Sequence, residues 1–121
     1  MIGFALSDEE RMVQQVAHDF ARKEIRPVAA YYDEHEETPY ELIKKAAALG
    51  FGVTREGGLL ETSSSLLPSI LAEELAWGCA GIGLAINSSG LAAAAIASTG
   101  SAEQRAHWLP QISSDGNEVH L

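Results

Sequence analysis

Residues 66–99 read LLPSILAEELAWGCAGIGLAINSSGLAAAAIAST, and this stretch decides the fold. Leu67, Leu71 and Leu75 recur every four residues, with Leu66 and Ile70 beside them, so one broad helical face is apolar. Gly78-Cys79-Ala80-Gly81 then breaks or bends the helix. From Ile82 to Ala97 no residue is charged, and Ala, Gly and Ser predominate. A helix apolar on nearly every side belongs inside a bundle, and its small side chains let another backbone or a ligand come close. It is read either as a plain core helix or as one lining an apolar pocket.

The flanking segments read as further helices. Ser7-Asp8-Glu9-Glu10 is a capping box whose acids suit the positive end of a helix dipole. Met12, Val13, Val16, Ala17, Phe20 and Ile25 follow at helical spacing as the core face. Pro27 ends or kinks this helix and opens a short second one from Val28 to Glu37. A third starts with Thr38 as cap and Pro39 in its first turn. Its core face is Tyr40, Leu42, Ile43, Ala46, Ala47 and Leu49, and Gly50 is its left-handed stop. Phe51 to Thr54 reads as extended, and Arg55 to Ser65, with Gly57-Gly58 and three serines, as a mobile loop. Gly100 closes the uncharged helix. Ser101 to Gln104 is a second capping box, Trp108 and Leu109 anchor the helix that follows, and Pro110 lies at its end. Residues 115–117 signal a turn, and Glu118 to Leu121 read as the first residues of a strand. The expected architecture is a single all-α helical bundle over residues 1–121.

Composition sets the limits. The 121 residues are the size of one domain, and 46% of them are hydrophobic, enough for a core. A net charge of −9 argues against nucleic acid and anionic membrane surfaces. Cys79, the only cysteine, has no internal disulfide partner and sits among apolar neighbours, as expected of a buried, inert thiol in a cytoplasmic protein. No signal peptide is read at the N-terminus. No uninterrupted apolar run approaches the ~20 residues of a membrane span, so no membrane insertion is expected.

Chemistry-bearing motifs are sparse. Asp33-Glu34-His35-Glu36-Glu37 reads as a solvated turn. His18, His35, His107 and His120 are scattered. Glu73-Glu74, and Glu103 with His107, do not give the Glu-x-x-His spacing of a paired-metal bundle, so no metal site is expected. There is no GxSxG, CxxC or dinucleotide fingerprint, and the double glycine lacks the lysine and frame of a phosphate loop.

The order of segments says more. Leu6-Ser7-Asp8-Glu9-Glu10, Phe20 to Pro27 with Asp33 beyond, Pro39-Tyr40-Glu41-Leu42, Lys44-Lys45, and Leu49-Gly50-Phe51 occur in sequence. Ala72-Glu73-Glu74-Leu75-Ala76, Gly100 to Gln104 and Trp108-Leu109-Pro110 follow. Together they resemble the N-terminal helical domain of the acyl-CoA dehydrogenases over essentially the whole chain. Two features depart from the family pattern. Thr54 to Gly58 is a reduced form of a loop motif, and Asn87 and Ser88 are polar for a long acyl chain.

The resemblance implies an intact FAD-dependent flavoprotein of fatty acid metabolism that converts acyl-CoA to 2,3-enoyl-CoA. It also implies an electron-transfer flavoprotein partner and a homotetramer. It places the catalytic glutamate and most flavin contacts outside this segment, so no catalytic residue is assigned here. Carried over by position, the substrate-binding candidates are Gly83, Leu84, Asn87, Ser88 and Leu91. Residues 83, 87 and 91 stack at four-residue intervals, with 84 and 88 alongside. The rival expectations are a non-catalytic helical interaction module or subunit, and an acyl-CoA oxidase or another flavoenzyme on the same scaffold.

Overall fold

The structure, a computed structural model, describes residues 5–51 and 66–112. The expected extended segment after Phe51, the expected loop at 55–65 and the expected turn and strand after 112 lie outside them. The described residues are helical: α1 (Asp8–Phe20), α2 (Ala29–His35), α3 (Tyr40–Ala48), α4 (Leu67–Gly78), α5 (Ala80–Thr99) and α6 (Ala102–Ile112). No strand occurs among them.

The capping box of α1 forms as its sequence requires. Glu10 N–H donates to Ser7 Oγ at 3.2 Å, and Ser7 N–H donates to Glu10 Oε2 at 2.7 Å. Ser7→Ala removes the acceptor for the first-turn amide and is expected to destabilise the domain by about 1 kcal/mol. Urea unfolding checks this, and an unchanged midpoint would mean the box contributes nothing.

Pro27 does not separate α1 from α2 outright. The chain widens into a π turn at Ala21–Ile25, tightens into a 3-10 turn at Arg26–Val28, and continues into α2. The π turn has a geometric consequence. Eight residues of uniform α-helix would leave His18 and Arg26 about 80° apart around the axis. The wider turn brings both onto Trp77 of α4. The His18 and Trp77 ring centroids are 4.4 Å apart, and the Arg26 guanidinium carbon lies 4.4 Å from the Trp77 ring centroid, a cation–π contact. His18 Nδ1 also meets Glu74 Oε2 at 2.7 Å, so His18 links α1 to α4 rather than standing as a scattered surface residue.

α2 ends at Glu36, which adopts φ 53°. α3 begins one residue later than expected. Pro39 occupies the cap position with no side-chain cap bond, and Thr38 contributes its backbone carbonyl to Tyr40 N–H at 2.9 Å instead of its hydroxyl. Its end is a Schellman motif: Gly50 at φ 80° donates to the Ala47 carbonyl, and Phe51 N–H donates to the Ala46 carbonyl, both at 2.9 Å. That turn delivers Phe51 edge-on to Phe20, with ring centroids 5.8 Å apart.

The core lies where α4 packs between α1 and α5. It is built from Ala17, Phe20, Ala21, Ile25, Leu42, Ile43, Ala46, Phe51, Leu71, Leu75, Ile82 and Ile86. Gly78 at the end of α4 lets the π turn close in. A Cβ there would stand 3.0 Å from Ile25 Cβ and 3.1 Å from Ala21 Cβ. Four expected core residues are instead exposed: Met12, Val16, Tyr40 and Leu49. Their spacing is helical, but no described element lies over them.

The break at Gly78-Cys79 is sharp. Cys79 is extended, at φ −168°, and α5 starts afresh at Ala80. The Cys79 thiol is half-buried rather than enclosed. α6 opens with the expected second box, Ser101 N–H donating to Gln104 Oε1 at 2.9 Å and Gln104 N–H to Ser101 Oγ at 3.2 Å. Pro110 lies within its last turn, not at its end, and Trp108 is half exposed rather than a buried anchor.

Candidate functional site

α5 is buried only in its first two turns. Ile82, Gly83 and Ile86 face the core, while Leu84 is 62% and Leu91 69% exposed. The uncharged helix expected inside the bundle therefore presents an apolar side outward among the described residues. Its composition is that of a core helix, and no described element covers Leu84 and Leu91.

The five candidate residues separate on this geometry. Leu84, Ser88 and Leu91 lie within about 60° of one another around the helix, and Asn87 lies about 60° from Leu84. These four form one outward surface. Gly83 is turned toward α4. A Cβ at Gly83 would sit 3.1 Å from the Leu75 carbonyl carbon and 3.2 Å from Ala76 N, so its missing side chain makes room for the α4 backbone. Asn87 Nδ2 donates to the Gly83 carbonyl at 3.2 Å, and Ser88 Oγ donates to the Ala85 carbonyl at 2.9 Å.

Among the described residues two open clefts touch α5, and neither takes a side chain from those five. One, of about 300 Å³, lies between Ile82 and Ala85 of α5 and Ala29, Tyr32 and Pro39, with Asp33 and Glu37 at its margin. The other, of about 320 Å³, lies at the α5–α6 corner between Ile96, Thr99, Gln104 and Trp108. Neither has a Lys or Arg in its lining, so a flavin diphosphate would meet carboxylates or neutral groups. Neither cleft fits FAD. Among them no three His, Cys, Asp or Glu side chains are grouped to hold a metal ion.

The shifted titrations lie away from the outward face of α5. Desolvation pulls the Asp19 carboxyl upward, but Lys23, Gln15 and Arg22 outweigh it and hold the group below its ordinary value. The Glu37 carboxylate raises Tyr31, and the hydrogen bond to Glu24 raises Lys45. No titrating group sits on the 84–91 surface, so it is a wall without acid–base chemistry.

Ala80–Thr99, 20 residues with mean hydropathy 1.5, is long and apolar enough to cross a membrane by length and composition alone, a test that core helices also pass. Asn87, Ser88 and Ser89 interrupt the apolar run within it.

The family model for the acyl-CoA dehydrogenase N-terminal domain matches residues 7–115. The chain is 34% identical over 113 residues to an isobutyryl-CoA dehydrogenase, mitochondrial, of Bos taurus, covering 88% of this chain and 26% of that protein. It is 32% identical over 109 residues to the protein of the same name in Dictyostelium discoideum, covering 88% and 26%. A probable medium-chain specific acyl-CoA dehydrogenase 2, mitochondrial, of Caenorhabditis briggsae is 29% identical over 118 residues, covering 94% and 28%. The chain thus spans about a quarter of the length of these curated relatives.

Proposed function

The chain belongs to the acyl-CoA dehydrogenase family, as its N-terminal domain, and from that premise we propose that it builds one wall of an acyl-CoA pocket in a flavin-dependent dehydrogenase. The observation that carries this reading is the outward, uncharged side of α5, where Leu84 and Leu91 are more than 60% exposed. An acyl chain laid along that side buries methylenes against the two leucines, each worth about 0.8 kcal/mol. Asn87 and Ser88 lie between them, and Gly83 fixes how close the wall stands to α4.

In this reading the intact protein oxidises an acyl-CoA to the 2,3-enoyl-CoA, and FAD, held by residues outside those described, supplies the redox chemistry when bound. The role of the present residues is to hold the chain and keep water from it, which strengthens the electrostatics of the reacting end. An electron-transfer flavoprotein as acceptor and a homotetrameric assembly belong to the same proposal.

The test uses the full-length protein. A flavin absorbance spectrum that bleaches on adding acyl-CoA is the expected result, and a colourless protein that takes up no FAD would sink the proposal. Within the wall, the Leu84→Ala/Leu91→Ala double variant should weaken acyl-CoA binding by about tenfold, the equivalent of about 1.4 kcal/mol of lost apolar contact. Both side chains are exposed among the described residues, so the domain itself should stay folded. Unchanged affinity in a folded double variant would remove α5 from the pocket.

A further inference from the structure

The wall just proposed is interrupted by a polar pair, Asn87 and Ser88, and the hydrogen bonds of that pair specify what it can meet. The Ser88 hydroxyl hydrogen is committed to the Ala85 carbonyl, which leaves the oxygen lone pairs as acceptors. One Asn87 amide hydrogen is committed to the Gly83 carbonyl, which leaves Oδ1 as acceptor and the second N–H as donor. No other described residue bonds to either side chain. Both are half-buried on a surface whose other members are leucines.

Resting on the acyl-pocket reading, we propose that Asn87 and Ser88 select an acyl-CoA whose chain carries a hydroxyl group. A hydroxyl both donates and accepts, so it can give its hydrogen to Ser88 Oγ or Asn87 Oδ1 and take the free Asn87 N–H. A plain methylene at the same level strips water from these groups and returns nothing. Sites built to bond a substrate hydroxyl reject the analogue lacking it far more strongly than apolar pockets reject an added methylene, because the unmatched polar groups stay unpaired. The leucines on either side keep the chain itself hydrocarbon. The substrate class is therefore a hydroxylated acyl thioester.

Equilibrium binding of hexanoyl-CoA and ω-hydroxyhexanoyl-CoA to the full-length protein tests this, with coenzyme A alone as the reference. The wild-type protein should bind the hydroxylated thioester about tenfold more tightly. The Asn87→Leu/Ser88→Ala variant should lose that preference and bind hexanoyl-CoA more tightly, with an unchanged melting temperature as the check on folding. Equal or weaker binding of the hydroxylated thioester by the wild type would overturn the proposal, as would a preference that survives in the folded variant. If neither thioester binds better than coenzyme A alone, the acyl-pocket reading itself fails and this inference fails with it.

Discussion

Leu75→Ala is expected to destabilise the domain by about 3 kcal/mol, within the range found for leucine truncation in packed cores. Leu75 is fully buried in α4, at the centre of the layer that joins α1 to α5. Its side chain also stands beside Gly83, where a Cβ would lie 3.4 Å from Leu75 Cβ. Truncation therefore opens a cavity between two helices that already touch at backbone distance and have little freedom to collapse into it. For a chain of this size the loss corresponds to a fall in Tm of about 12 °C. Leu84→Ala removes the same atoms from an exposed position and should change stability by no more than the ~0.5 kcal/mol typical of surface changes. Thermal unfolding of the pair separates packing from composition. If the two variants melt together, α4 is not the centre of the core.

The elements whose local chemistry is self-contained were legible in the sequence. Ser7 with Glu10, Gly50 at its positive φ, and Ser101 with Gln104 all form as their residue types require, because a cap or a left-handed stop is decided within four residues. Periodicity identified the helices but not every buried face. Met12, Val16, Tyr40 and Leu49 keep the spacing of core residues and are exposed, since a period says which side is apolar and not whether anything lies over it. The same gap explains α5. Its composition marks a helix to be covered, and the described residues cover only the part near Ile82 and Ile86. The meeting of His18 with Glu74 and of Arg26 with Trp77 had no sequence signal. The placement of Arg26 depends on a π turn whose widened register no spacing rule for α-helices contains.

The candidate surface was half legible for a related reason. A four-residue spacing put residues 83, 87 and 91 together, but the helix turns about 40° further with each such step. That drift, with α4 on one side, places Gly83 inward and Leu91 outward. The sequence could not distinguish a glycine that makes room for a ligand from one that makes room for a helix. The distances to the Leu75 carbonyl carbon and Ala76 N make that distinction.

Those distances also set the second large effect. Gly83→Leu is expected to destabilise the domain by about 3 kcal/mol, the upper end of the cost of overpacking. The added Cβ already meets α4 backbone at 3.1–3.2 Å, which has to give by a few tenths of an ångström and leaves no room for the atoms beyond it. The rest of the leucine must then either force α4 and α5 apart or take a strained rotamer. Gly83→Ala should be close to neutral, because the ~1 kcal/mol gained by replacing glycine in a helix offsets a displacement of a few tenths of an ångström. Gly81, on the same helix two residues earlier, has nothing within 4 Å of its would-be Cβ, so Gly81→Ala should stabilise by up to about 1 kcal/mol. Urea midpoints for the three variants therefore have a fixed order: Gly81→Ala above the parent, Gly83→Ala near it, Gly83→Leu far below. Separation of α4 from α5 also moves Leu84 and Leu91 together, so Gly83→Leu should weaken acyl-CoA binding under conditions where the variant is still folded. A Gly83→Leu protein with the parent's midpoint would mean that α4 and α5 do not touch at this point, and the placement of the proposed wall would fall with it.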